Sequence, residues 1–68
     1  MFKSFCDKFL NKYPGDHRCD FIRDALTDKK FPWELERYEV VDYLECQKAD
    51  PECITCYEEL VDLYALNC

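Results

Sequence analysis

Glycine is nearly missing from this chain, since Gly15 is the single one among 68 residues. A loop that cradles a phosphate needs several glycines, because only glycine lets the backbone approach the anion closely. Gly15 instead follows Pro14, a pair typical of a turn. The sequence therefore excludes a glycine-loop nucleotide site and predicts few, short loops.

Long apolar runs are missing too. No segment approaches the roughly 18 to 20 apolar residues of a membrane-spanning helix. Charges interrupt the N-terminal MFKSFCDKFL, where a signal peptide would be continuously apolar. We therefore expect a cytoplasmic protein without membrane contact. Its length predicts one domain, residues 1–68, with little room for an internal active site.

Histidine occurs once, at His17, between Asp16 and Arg18. The neighbouring sequence offers no nucleophile elbow that a histidine would activate. We expect His17 to be a solvated residue at the start of a helix. The protein is accordingly expected not to be an enzyme and to need no cofactor.

Charge is abundant and unevenly distributed within a formal net charge of -6. Residues 1–33 carry seven Lys or Arg against five Asp, a net of +2, and residues 34–68 carry two against ten acids, a net of -8. An acidic surface repels nucleic-acid backbones and anionic membranes. We therefore expect no direct nucleic-acid binding by the second half, and favour a basic protein or the basic half of a second copy as partner.

Apolar residues recur at intervals of three and four over four segments, which predicts four helices and an all-α fold. Ser4 is predicted to cap the first helix, which ends before Pro14, and Asp16 to cap the second, which ends near Asp28. The predicted buried face of the first helix is Phe5, Phe9, Leu10 and Tyr13. That of the second helix, with Phe21 beside it, is Cys19, Ile22, Ala25 and Leu26.

Phe31 and Pro32 predict a corner after the second helix. Proline lacks a backbone N–H and disfavours helical geometry at the preceding residue, so the chain turns there and presents Phe31 and Trp33 as an aromatic pair. The third helix is predicted from about residue 37 to about residue 47, and the fourth opens with the N-cap and proline of Asp50-Pro51. Their predicted buried faces are Val40, Val41, Tyr43 and Leu44, then Ile54, Tyr57, Leu60, Val61 and Tyr64.

Four segments follow one another along the chain: SFCDKFLNKY, CDFIRDALTDKKFP, YEVVDYLE and CYEELVDLY. In this order they resemble the YozE-like family of short bacterial proteins, whose fold is similar to the sterile alpha motif (SAM). The resemblance covers nearly the whole chain and implies a compact four-helix SAM-like domain, with no catalytic residue to carry over. The positions that carry it are Ser4-Phe5, Leu10, Tyr13, Asp28, Phe31-Pro32, Tyr43-Leu44-Glu45, Tyr57 and Tyr64.

Six cysteines depart from that family pattern and reach the density of a disulfide scaffold. Complete apolar helix faces and the absence of an export signal favour reduced, structural thiols instead. Cys6 and Cys46 are expected to act as small hydrophobic residues beside the apolar stripes. Cys68 is expected to be exposed and able to form an adventitious intermolecular disulfide.

Cys53 and Cys56 have the spacing of zinc ligands and of redox pairs, in the predicted first turn of the fourth helix. That position favours a thiolate, whereas the surrounding acidic residues raise a thiol's pKa. Zinc needs two further ligands, from Cys46, Cys68 or His17, and no second pair has the required spacing. We expect neither role, and a zinc-binding or redox-responsive domain is retained as a lesser hypothesis.

The sequence favours a small non-catalytic protein-interaction module that acts through charged helical surfaces, as domains similar to the sterile alpha motif commonly do. The proposed protein-binding residues are Glu34, Glu36, Glu39, Asp42 and Glu45. The alternative is an acidic inhibitor of the phage type, whose carboxylates from residue 34 to residue 62 imitate the phosphates of a nucleic acid and occupy a basic nuclease or DNA-binding protein. The plainer interpretation of the same acids is a solvated face.

Overall fold

The computed structural model describes residues 1–67, and four α-helices without a strand make up this part of the chain. The helices are α1 (Phe2–Lys12), α2 (Arg18–Thr27), α3 (Arg37–Cys46) and α4 (Pro51–Leu66). This confirms the predicted all-α, four-helix fold.

The start of α1 differs from the prediction. Met1 is the N-cap, and the Phe5 N–H already donates a hydrogen bond of 3.1 Å to the Met1 carbonyl oxygen. Ser4 therefore lies inside the first turn, and its prediction as the cap was wrong. Once the backbone of residues 1–5 closes this turn, the apolar Phe2 becomes part of the helix and packs against the core.

The start of α2 lies one residue later than predicted, with His17 as the N-cap. Asp16 still serves the helix, because its Oδ1 accepts the Arg18 N–H at 2.8 Å. The first N–H groups of a helix have no partner within the helix, so a carboxylate just before it stabilises them. The predicted turn at Pro14 is present, since α1 ends at Lys12.

The end of α3 is a Schellman motif, which the sequence analysis did not predict. Lys48 has a φ of 59°, in the left-handed region that favours glycine. Its N–H donates to the Glu45 carbonyl oxygen at 3.0 Å, and the Ala49 N–H donates to that of Leu44 at 3.0 Å. These bonds end α3 at Cys46 and let Asp50 begin α4 with proline at its first position, as predicted.

The core lies where α2 packs against α4. Ile22 of α2 and Leu60 of α4 are fully buried, and Val40 of α3 belongs to the same buried cluster. The thiols of Cys6 and Cys19 are fully buried as well, so they fill core space as small apolar groups. The buried residues form one cluster, which is Cys6, Phe9, Cys19, Phe21, Ile22, Ala25, Phe31, Val40, Leu44, Cys56, Tyr57 and Leu60.

The predicted corner after α2 is confirmed and connects α3 to the core. The Phe31 and Trp33 rings lie with their centroids 4.5 Å apart, and Phe31 also meets the Phe21 ring at 5.8 Å. The Tyr43 hydroxyl donates a hydrogen bond of 2.6 Å to Asp28. Because α3 is held at the corner by Tyr43 and at the core by Val40, its outward face is determined.

Two predictions about buried residues need correction. Cys46 is exposed, because it follows Leu44 by two positions and so lies off the buried face of α3. Tyr13, predicted on the buried face of the first helix, keeps 47% of its surface exposed, because it lies just after the last residue of α1. Cys56 is buried, which agrees with the expected structural thiol. None of the described helices is both long enough and apolar enough to cross a membrane.

Lys48→Gly is expected to raise the free energy of unfolding by about 0.5–1 kcal/mol, because glycine adopts the positive φ without the penalty that a Cβ brings. Gln47→Gly is the matched control, since Gln47 has a right-handed φ of -81° and gains nothing from glycine. Urea denaturation of both variants measures the difference. A loss of stability in Lys48→Gly equal to that in Gln47→Gly would contradict the assignment of the motif.

Candidate protein-binding surface

The outward face of α3 carries a tyrosine and two carboxylates in one row. Asp42 and Glu45 follow Tyr38 by four and seven residues, so the three lie within about 60° of one another around the helix axis. Val40 and Leu44 occupy the opposite, buried side. The packing of α3 against the core therefore forces this row towards solvent.

The segment that leads into α3 extends this row. Glu34, Leu35 and Glu36 are all exposed. Leu35 keeps 50% of its surface exposed and Tyr38 keeps 74%, so two large apolar side chains lie exposed among the carboxylates. We use the name acidic α3 surface for Glu34, Leu35, Glu36, Tyr38, Asp42 and Glu45.

Sequence reasoning missed Leu35 and Tyr38, although a signal was present. Both are apolar or aromatic, and neither falls in register with the stripe of Val40 and Leu44 that predicts the buried face. Tyr38 is out of phase with the buried stripe of its helix, and Leu35 precedes that helix between two glutamates. Both side chains are exposed in the structure.

Glu39 behaves differently from the other four predicted protein-binding residues. It is half-buried, and its Oε1 accepts the Glu36 N–H at 3.4 Å as part of a capping box at the start of α3. The structure therefore brings Asp42 and Glu45 together on the outward face and places Glu34 and Glu36 just before it. Glu39 is occupied with starting the helix.

The positive charge of Arg37 lies against α4 and not among the carboxylates of the acidic α3 surface. Its Nε lies 3.3 Å from Glu58 Oε1 and its Nη1 lies 3.0 Å from Asp62 Oδ1, both on α4. These exposed pairs contribute only about 0–1 kcal/mol each to stability. Their main consequence is geometric, because the guanidinium lies towards α4. Within residues 1–67, the outward carboxylates of α3 form no ion pair.

The charges at the start of α2 also pair internally. The Arg18 guanidinium donates two hydrogen bonds of 2.9 Å to Asp16, and this holds the pKa of the Asp16 carboxyl well below its usual range. The Glu59 carboxylate lies 3.9 Å from Arg18 and 3.8 Å from His17. His17 itself is 74% exposed, which confirms the expected solvated residue at a helix start.

The surroundings of the Cys53 and Cys56 thiols disfavour the thiolate form that a redox pair needs. Burial raises the pKa of both thiols, and nearby carboxylates raise it further, Asp24 at Cys53 and Glu59 at Cys56. The expected effect of acidic neighbours is present, but burial is the larger cause. Thiols with a raised pKa stay protonated at neutral pH, which opposes nucleophilic or redox chemistry.

Metal ligands do not converge in the described part of the chain. Within residues 1–67, no three side chains of His, Cys, Asp or Glu come together in a way that would hold a metal ion. Cys46 is exposed and His17 lies at the start of α2, next to Glu59 of α4. The contributions proposed for Cys68, as a ligand or in a disulfide, lie outside the described residues.

Alkylation with N-ethylmaleimide at neutral pH is expected to label Cys46 well before Cys6, Cys19 and Cys56. Cys46 is exposed, whereas burial raises the pKa of Cys6 to about 12 and leaves almost no thiolate to react. Peptide mapping by mass spectrometry assigns each site, and unfolding in urea should make all of them reactive. Cys46→Ser is the control and should lose the fast labelling that peptide mapping assigns to residue 46. Labelling of Cys53 and Cys56 as fast as Cys46 would contradict the expected protection and support the redox hypothesis.

Comparison with known proteins agrees with the helical architecture. The family described as YozE SAM-like fold matches residues 2–65, which include all of α1, α2 and α3 and all but the last residue of α4. Neither the curated proteins nor the solved structures gave a match. The match extends over nearly the whole four-helix unit and agrees with the resemblance seen in the sequence. The chain therefore belongs to the family with the YozE SAM-like fold.

Proposed function

We propose that this protein is a small, non-catalytic interaction module of the cytoplasm, whose acidic α3 surface binds a basic surface on a protein partner. One observation carries the proposal. Tyr38 and Leu35 project from among four carboxylates, and none of these four carboxylates forms an ion pair within residues 1–67. The arrangement combines an apolar contact with unneutralised charge.

The two kinds of group contribute differently to binding. Burial of an aromatic or aliphatic side chain contributes roughly 1.5–3 kcal/mol, whereas an exposed ion pair contributes about 0–1 kcal/mol. Tyrosine is enriched among the residues that dominate interface energies. Tyr38 and Leu35 therefore supply most of the affinity, and the carboxylates increase the association rate and select a basic partner.

The alternative of an acidic inhibitor that imitates nucleic acid draws less support. A phosphate-like row from residue 34 to residue 62 needs carboxylates that face outward without cations. Glu58 and Asp62 pair with Arg37, and Glu59 lies close to Arg18 and His17. These three carboxylates of α4 are therefore partly neutralised by cations of the same molecule. The carboxylates of the acidic α3 surface surround Tyr38, whose ring does not resemble a phosphate.

A pull-down from the lysate of the native host, under reducing conditions, tests the proposal. The wild type is expected to retain a basic protein at low salt and release it at high salt, because exposed charges are screened within a few ångströms in concentrated salt. Asp42→Lys/Glu45→Lys should abolish retention without unfolding the helices, and Tyr38→Ala should reduce it about tenfold or more.

The matched control is Asp24→Lys/Glu52→Lys, which makes the same change in charge at exposed positions of α2 and α4. Circular dichroism establishes that all variants keep the helical fold. Retention of the same protein by Asp42→Lys/Glu45→Lys would overturn the proposed surface. Retention of a nuclease or another DNA-binding protein that nucleic acid displaces would favour the inhibitor instead.

A further inference from the structure

A second surface, which carries two lysines, lies where α1 meets the C-terminal part of α4. It is an open groove of about 530 Å³. We use the name aromatic groove for Phe5, Lys8, Phe9, Lys12, Tyr13 and Leu63, which line it. The groove shares no residue with the acidic α3 surface.

Aromatic rings form the floor of the groove. Phe5, Phe9 and Tyr13 follow one another at intervals of four along α1, with ring centroids 6.2 Å and 5.1 Å apart. Tyr13 remains 47% exposed, so the row of rings reaches the surface at the end of the helix. An apolar side chain from another molecule would contact the half-buried Phe5 ring and the exposed Tyr13 ring, whereas Phe9 between them is buried and supports both from below.

Positive charge surrounds these rings. Lys8 and Lys12 are exposed and form no ion pair within residues 1–67, and the Lys12 ammonium lies 5.5 Å from the centroid of the Tyr13 ring. Arg18 also lies over the Phe9 ring, at 5.3 Å, but Asp16 already holds its guanidinium. Two lysines are therefore available to meet carboxylates at the edge of an apolar groove.

We infer that the groove receives the acidic α3 surface of a second copy of this chain, an inference that rests on the proposed function and names its partner. Tyr38 and Leu35 of one copy pack in the aromatic groove of the next. The carboxylates around Tyr38 then face Lys8 and Lys12. Each surface thus supplies what the other lacks, an apolar side chain for the groove and cations for the acids.

Within one copy, α1 and α3 each pack against α4 but not against each other. Arg37 holds the start of α3 against Asp62, whereas the groove uses Leu63, about 100° further around the same helix. The contact is therefore heterologous, with a different surface used on each copy. Such contacts build rings or open chains rather than a twofold dimer.

Sedimentation velocity under reducing conditions tests the inference, with protein concentrations up to about 1 mM at low salt and again at about 0.3 M salt. The mean mass of the wild type should rise with protein concentration and fall with salt. Lys8→Glu/Lys12→Glu should remain monomeric, because its groove repels the acidic surface. Leu35→Ala/Tyr38→Ala should also remain monomeric, because it lacks the apolar contact.

A mixture of these two variants gives the sharpest result. The groove variant keeps an intact acidic α3 surface, and the alanine variant keeps an intact groove, so the mixture should form a 1:1 dimer that grows no further. Lys29→Glu/Lys30→Glu is the control, with the same change in charge at exposed positions after α2, and should assemble as the wild type does. Circular dichroism establishes that each variant is folded.

A wild type that stays monomeric under all conditions would overturn the inference, and so would assembly that both surface variants leave unchanged. The pull-down separates this failure from failure of the proposed function. If a lysate protein still depends on Asp42 and Glu45 while the purified chain is monomeric, the proposed function stands and the partner is a different protein. If neither retention nor assembly depends on the acidic α3 surface, both are overturned.

Discussion

The packing of α2 against α4 is the contact on which the rest of the structure depends. Ile22 and Leu60 are wholly buried there, and α1 and α3 complete the core from either side of this pair. A chain of this length buries only roughly 60% of the surface that its unfolded form exposes, so apolar groups must be used efficiently. The thiols of Cys6 and Cys19 serve this purpose as small core groups, which accounts for two of the six cysteines without any reactive role.

The orientation of α3 connects this core to the proposed function. Val40 and Leu44 point inward, Tyr43 is tied to Asp28, and Arg37 reaches across to α4. These contacts use the sides of α3 that face the core, the corner and α4. Tyr38 projects from the remaining side, with 74% of its surface exposed, because the packing that buries Val40 turns residue 38 away from the core.

The acidic residues of the second half differ in their surroundings, which the net charge conceals. Glu58, Glu59 and Asp62 of α4 lie beside Arg37 and Arg18 and contribute to contacts within the molecule. Within residues 1–67, Glu34, Glu36, Asp42 and Glu45 around Tyr38 form no ion pair. Three carboxylates of α4 therefore pair within the molecule, whereas those around Tyr38 stay exposed. The exposed carboxylates are opposite in charge to Lys8 and Lys12 at the aromatic groove.

The sequence by itself determined the four helices, the corner at Phe31, the proline start of α4 and the membership of a family, because apolar periodicity and proline act over a few neighbouring residues. It did not show that backbone bonding begins α1 at Phe2, that Lys48 adopts a left-handed conformation, or that Glu39 is occupied in a cap. Only the tertiary structure decided which charges pair, since Arg37 and Asp62 are distant in sequence and meet through helix packing.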